Sequence, residues 1–144
     1  MPAVSFAQTP QPGGTLTAII QPEPVILTAA INTAAPTGTV SGNIFDGLVD
    51  YDTNLNPQPA LAESWETAAD GLSLTLRLRK GVLWHDGKSF TSADVKWTLE
   101  NVWKTIHPRN QATFAKVKQV DSPDDNTVIL FGNMDEVMAF VAYA

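Results

Sequence analysis

The sequence contains no cysteine, which excludes disulfides, thiolate metal sites and cysteine nucleophiles but leaves the redox compartment undecided. Basic residues are also scarce, with nine Lys and Arg against fifteen Asp and Glu, giving a formal net charge of −6. They form no dense run, and binding to phosphates needs clustered Lys and Arg, so a nucleic-acid or anionic-membrane partner is not expected. No apolar run approaches the ~20 residues that a membrane-spanning helix requires.

The remaining composition is that of a globular protein. The chain has 144 residues, of which 44% are hydrophobic and 17% charged, enough for one domain with a real core. Its start is rich in Pro and Gly, and Ser5 and Ala7 occupy the −3 and −1 positions of a signal-peptidase site. Residues 1–14 therefore read as a leader remnant that implies export, with a chance match as the alternative.

The end of the chain is apolar. Residues 135–144, DEVMAFVAYA, predict a helix that reaches the last residue without a cap or a polar tail. Natural domains rarely stop with an apolar flank unburied. We therefore expect the chain to be the N-terminal portion of a longer protein.

Residues 72–103 carry the clearest local pattern. Leucines at 72, 74, 76 and 78 alternate with polar residues, which predicts a strand with one buried face. Asp86-Gly87 predicts a turn. Thr91 and Asp94 stand at the positions of a capping box, and Phe90 and Val95 at those of a hydrophobic staple. The segment is thus expected to run strand, turn and capped helix.

The helix that begins at Thr91 has a single apolar stripe. Its members recur at steps of mainly three and four residues: Val95, Leu99, Val102, Trp103 and Ile106. Pro108 should end the helix, because it disfavours helical geometry at the residue before it.

The two histidines are the candidates for catalysis, and each has a structural explanation. His85 beside Asp86 is interpreted as a turn residue, and His107 as a helix-end histidine that complements the helix dipole. No third residue completes a nucleophile–base–orienter set. The sequence predicts no catalytic residue, no metal site and no cofactor.

Weaker patterns predict the other elements. They are a strand at 15–20, a helix from near Thr37 with its stripe at Val40, Ile44 and Leu48, a turn-rich stretch at 51–59, and a strand or helical turn in ALAESWE. Residues 116–120 and 127–131 predict two strands joined by DSPDDN as a hairpin. The expected fold class is α/β, in the mixed α+β form.

Several of these stretches carry a family resemblance. In chain order they are GGTLTAI, QPEPVILTAA, IFDGLVDYD, the long run PQPALAESWETAADGLSLTLRLRKGVLWHDGKSFTSADVKWTLENV and the hairpin VKQVDSPDDNTVILF. The order resembles the start of the bacterial extracellular solute-binding proteins of the peptide/nickel type, which serve ABC importers. The likeness covers about residues 13–140, and residues 60–100 are its most specific part.

The resemblance implies a two-lobed receptor that closes on its solute by a hinge and docks on a membrane permease. It implies a binding protein rather than an enzyme, in the periplasm, with no lipid-anchor cysteine in this chain. Residues 15–35 would be the first strand and solute-proximal loop of the main lobe, and residues 36–144 a small sheet-plus-helix subdomain of the first lobe. The rest of the receptor, including the second lobe, would be a partner of this part, beside the permease and a peptide or peptide-like solute.

The resemblance also places two stretches near the solute, the loop at 22–27 and the segment at 109–114. The candidate ligand-binding residues are Glu23, Pro24, Val25, Ile26, Leu27, Asn110, Thr113 and Phe114. The loop would offer backbone groups to a peptide as an added strand does. Glu23 would pair with a ligand amine, with a solvated loop acid as the equal alternative. For Phe114 and for the four tryptophans, core packing is preferred to contact with ligand.

Two other classes compete with the receptor. An enzyme fragment would need a nucleophile elbow or a metal-spaced His/Asp set, and the sequence has neither. A self-sufficient extracytoplasmic ligand- or carbohydrate-binding module would explain the aromatic residues, but not the apolar end. The solute itself is not specified, since peptides, nickel complexes, opines and oligosaccharides all use the scaffold that the sequence resembles.

Overall fold

The computed structural model describes residues 13–132, so most of the expected leader remnant and the predicted helix at 135–144 lie outside the described residues. The elements in chain order are α1 (Ala35–Ser41), β1 (Val49–Tyr51), β2 (Pro57–Pro59), β3 (Ala62–Thr67), β4 (Ser73–Leu78), α2 (Ser92–Thr98), a π-helical turn (Leu99–Trp103), α3 (Gln111–Phe114), β5 (Val117–Asp124) and β6 (Thr127–Gly132). The mixed α/β class is confirmed.

A four-stranded antiparallel sheet with the order β3-β4-β6-β5 forms the centre of the fold. Leu74 and Leu76 of β4 pair with Leu130 and Val128 of β6, and all four side chains are fully buried. The predicted alternation is therefore confirmed, except that Leu72 lies outside the strand and is exposed. The predicted hairpin is β5–β6, whose turn is at Asp125 and Asn126.

Helix α2 packs on this sheet and begins where the sequence predicts. The backbone N–H of Thr91 donates to Oδ2 of Asp94 at 2.8 Å, which is one half of a capping box. Phe90 and Val95 are both buried in the core, as the predicted staple requires. These local signals fix the start of the helix before any tertiary contact is considered.

The end of the helix differs from the prediction. Regular α-helix stops at Thr98, and a π-helical turn continues to Trp103. A π turn contains more residues than an α turn. It therefore rotates Trp103 back to the buried side that Val95 and Leu99 share, whereas Ile106 is 53% exposed. The chain leaves the helical region before Pro108, as expected.

Two predictions for the first third of the chain are wrong. Residues 15–20 form no strand, because a strand needs a hydrogen-bonded neighbour and none lies beside them within residues 13–132. Helix α1 exists but ends at Ser41, before the poor helix formers Gly42 and Asn43. Leu48 still reaches the core, but from the approach to β1, while Ile44 is exposed.

The β1–β2 hairpin occupies the stretch predicted to be turn-rich. Val49 pairs with Pro59 and Tyr51 with Pro57. The backbone N–H groups of Leu61 and Ala62 donate to Gly47 O and Leu48 O, at 3.1 and 2.8 Å. This small sheet therefore joins the region around α1 to the start of β3.

Candidate ligand-binding surface

The 22–27 loop is irregular and largely exposed. Val25 is 85% exposed, and Leu27 is also exposed. Residues 13–27 make no hydrogen bond within the part of the chain that the structure describes; the first is from Ala29 N–H to Ser41 Oγ, at 3.0 Å. The backbone groups of the loop thus have no hydrogen-bond partner among the described residues.

Glu23 lies on this loop with its side chain in solvent. It takes part in no ion pair within residues 13–132, where the one ion pair joins Lys88 to Asp86. An unpaired carboxylate fits both alternatives for this residue, a contact to a ligand amine and a solvated loop acid.

The 109–114 segment is more tightly held. Asn110 is buried, and its carbonyl accepts the backbone N–H of Phe114 at 2.8 Å. The Phe114 ring is fully buried and lies 5.3 Å from the ring of Trp103, which supports core packing as its role. Among the three candidate residues of this segment, Thr113 is the one whose side chain is partly exposed.

His107 does not have the predicted role of a cation at a helix end. Its ring is only 7% exposed and stacks on Trp103, with centroids 4.6 Å apart and planes within 4°. Nδ1 accepts the backbone N–H groups of Asn110 and Arg109, at 3.1 and 3.3 Å. Burial lowers the pKa of His107, and the positive charge of Arg109 lowers it further. The His107 ring is therefore a neutral hydrogen-bond acceptor. The sequence did not reveal this role, because the burial of the ring depends on Trp103.

His85 is an exposed turn residue, as predicted. The turn is built by its neighbours: Lys88 Nζ lies 2.7 Å from Asp86 Oδ2, and the Lys88 N–H donates to Asp86 Oδ1 at 3.1 Å. These contacts with Lys88 hold the pKa of Asp86 below its usual value. Gly87 has a φ of 83°, which explains the glycine at this position.

The preference for core packing holds for only some of the tryptophans. Trp103 is buried and Trp65 partly so, but Trp97 is 60% exposed and Trp84 is exposed as well. Trp97 lies two residues from both Val95 and Leu99, so it points to the opposite side of the helix. Trp84 precedes the turn and makes an edge-on contact with Phe90 at 5.7 Å.

A groove between α2 and the 82–90 hairpin was not predicted. The space within the groove is about 500 Å³, part of which is open solvent. Its apolar wall is formed by Leu48, Leu61, Trp84, Phe90, Val95 and Leu99, with Asp46 and Asp94 as its charged members. The residues that form the groove are far apart in sequence. The one local sign of the groove in the sequence is the aromatic pair Trp84 and Phe90, on either side of the Asp-Gly turn.

The two predicted ligand-binding stretches are held separately. No hydrogen bond within residues 13–132 joins the 22–27 loop to the 109–114 segment. No cluster of three or more His, Cys, Asp or Glu in this part of the chain is arranged to hold a metal ion. Among the described helices, none has the length and apolar character needed to cross a membrane.

Known proteins are similar to this chain in sequence and in fold. The family of bacterial extracellular solute-binding proteins, family 5 (middle region), matches residues 56–131. The glutathione-binding protein GsiB of Pectobacterium atrosepticum is 32% identical over 94 residues, 62% of this chain and 18% of that protein. The oligopeptide-binding protein AppA of Bacillus subtilis is 29% identical over 128 residues, 88% of this chain and 24% of that protein.

A solved structure supports the same assignment. AgaA of A. tumefaciens R10, in complex with agropinic acid, is 34% identical, with a TM-score of 0.64 over 76% of this chain and 22% of that one. The chain thus spans about a fifth of the length of such relatives, which are named as binding proteins rather than enzymes. The family match covers more than half of the chain and contains the whole of the specific 60–100 stretch. The chain belongs to the bacterial extracellular solute-binding proteins of family 5.

Proposed function

We propose that this chain is part of the substrate-binding component of an ABC importer. The component captures a peptide or peptide-like solute outside the cytoplasmic membrane, in the periplasm, and delivers it to the permease. The observation that carries the proposal is the family match over residues 56–131. The names of the relatives favour peptides, since one is called glutathione-binding and another oligopeptide-binding.

The 22–27 loop is the proposed solute contact of this chain. Its backbone groups are unpaired within the described residues, and its apolar side chains at Val25 and Leu27 are exposed. A peptide would add to this loop by main-chain hydrogen bonds, which is compatible with many side chains. Glu23 would then attract the amino group of the solute.

The division of the chain is part of the same proposal. Residues 15–35 would belong to the main lobe and residues 36–144 to a small subdomain beside it. In support, one buried apolar cluster extends from Leu48 to Leu130, and none of residues 13–47 belongs to it. The sheet and α2 would be a scaffold, with the remaining lobe supplied by the rest of the receptor.

Native mass spectrometry of the full-length protein, purified without added ligand, tests the proposal. We expect a bound species with the mass of a short peptide or peptide conjugate that is released on denaturation. Loss of Glu23 and of backbone donors in the 22–27 loop should reduce its occupancy. Repeated purification with no bound peptide, and no binding when peptides are added back, would contradict the proposal.

A self-sufficient carbohydrate-binding module is the second candidate. The exposed indoles of Trp84 and Trp97 favour it, because sugar rings stack on exposed aromatic faces. An oligosaccharide in place of a peptide in the same experiment, lost on Trp84→Ala or Trp97→Ala, would support this candidate instead.

A further inference from the structure

His107 connects two helical segments through three of its polar groups. Its backbone N–H donates to Val102 O at 2.9 Å, and its carbonyl accepts the N–H of Gln111 at 3.4 Å. Its Nδ1 accepts the N–H groups of Arg109 and Asn110. An Asp, Asn, Ser or Thr oxygen normally fills this kind of role before a helix. Here an imidazole nitrogen provides it for the turn at residues 108–110, which leads into α3.

The same ring also contacts the residue on which the far end of the 109–114 segment packs. His107 stacks on Trp103, and Trp103 in turn packs on Phe114 at the end of α3. The segment is thus fixed at Asn110 by hydrogen bonding to His107 and at Phe114 by aromatic packing on Trp103. The first of these restraints depends directly on the His107 side chain.

This arrangement requires an uncharged ring. Nδ1 can accept only while it carries a lone pair, so the proton of the neutral ring lies on Nε2. Protonation turns Nδ1 into a donor that faces the N–H groups of Arg109 and Asn110. The two N–H groups then lose their acceptor, and the N–H of Asn110, which is buried, is left without a partner.

Among the described residues, no negative charge offsets a positive ring. Burial and Arg109 both lower the pKa of His107, and Arg109 is the one charged group that contributes. Trp103 and Phe114 are uncharged, and α3 has no titratable residue. Glu100 and Lys104, on the segment before His107, do not shift its pKa. No carboxylate within residues 13–132 forms an ion pair with it.

We propose that His107 is a positioning residue whose neutral ring holds the 109–114 segment, and that protonation of the ring releases the segment. Acid would then loosen Asn110 and Thr113, and with them any solute contact that they make. The last consequence rests on the proposed function; the release itself does not.

Amide hydrogen exchange of the 144-residue chain between about pH 5 and 8, corrected for intrinsic rates, tests the release directly. In the unchanged chain, protection at Arg109 and Asn110 should fall as His107 is protonated, while Leu76 in the central strand stays protected. His107→Asn places an amide oxygen where Nδ1 lies and cannot titrate, so protection should remain and become independent of pH. His85→Asn, at the exposed histidine, should behave like the unchanged chain.

Protection at Arg109 and Asn110 that does not change with pH, or that changes equally in His107→Asn, would overturn the proposal. Because His107→Asn retains the acceptor, the test does not depend on the folding of an alanine variant. Solute titration of the full-length protein over the same pH range gives a separate result. If amide exchange depends on pH but solute affinity does not, the release is supported. The 109–114 segment then does not belong to the solute site.

Discussion

Ser92 and Asp124 join the start of α2 to the β5–β6 hairpin. The Ser92 hydroxyl donates to the Asp124 carbonyl at 2.5 Å, and the Ser92 N–H donates to the Asp125 carbonyl at 2.8 Å. Ser92 is buried, so these bonds are shielded from water. They fix the helix against the β5–β6 hairpin, whose two strands follow α2 in the chain.

Ser92→Ala should lower the free energy of unfolding by about 1–3 kcal/mol, because the Asp124 carbonyl loses a buried donor. Ser64→Ala, at an exposed position of β3, is the matched control and should change stability by no more than about 0.5 kcal/mol. Urea denaturation of the two variants measures the difference. Equal effects would mean that the Ser92 bond does not contribute.

Leu99→Ala should lower the free energy of unfolding by about 2–5 kcal/mol, since it leaves a cavity under the π-helical turn. Trp97→Ala removes a larger side chain two residues away, yet it should cost far less because that indole is mostly exposed. Thermal and urea melts give both values. A larger loss for Trp97→Ala would contradict the orientation of α2.

Local signals explain why the 72–103 segment could be predicted. The alternation of β4, the Asp86-Gly87 turn and the Thr91/Asp94 pair each act within a few residues, so they are visible in the sequence. Where the outcome depends on distant partners, prediction failed. The strand expected at 15–20 has no neighbouring strand among the described residues. The role of His107 was missed although its partners are local, since the stacked Trp103 is only four residues away.

The candidate site was predictable only through family resemblance. Nothing in the 22–27 loop has a spacing that identifies a peptide contact, because backbone groups are present in every sequence. For Phe114 the structure favours the core alternative, since its ring is fully buried. The groove beside Trp84 could not be predicted, because its walls come from residues between Asp46 and Trp103.

Stability should also depend on the protonation of His107. The folded state lowers the pKa of this histidine below its ordinary value of 6.5, so the unfolded chain binds the proton more readily. The contribution is therefore complete above pH 6.5 and is lost as the pH falls through the folded-state pKa. Urea melts at a series of pH values should show this loss in the unchanged chain, and a smaller one in His107→Asn. Parallel pH profiles for the two proteins would contradict it.

Alanine at His85, Asp86 or Lys88 should leave solute affinity unchanged in the full-length protein. All three residues are exposed, and the side-chain contacts of Asp86 and Lys88 are with each other. Calorimetric titration of each variant checks this. A large loss of affinity at His85 in a protein that remains folded would show that the turn is part of a site and not of the scaffold.

The central claim is that the chain contributes backbone contacts to a peptide-binding receptor, and calorimetric titration of the full-length protein with glutathione and longer peptides tests it most directly. Neighbouring residues of an added strand point their N–H groups in opposite directions, so proline at one of Val25 and Ile26 should remove a bond to the solute. We predict saturable binding that is weakened at least several-fold by one of the two variants Val25→Pro and Ile26→Pro, whereas Val25→Ala and Ile26→Ala retain it. Peptide binding that is equally tight in all four variants, or no peptide binding at all, would contradict the account.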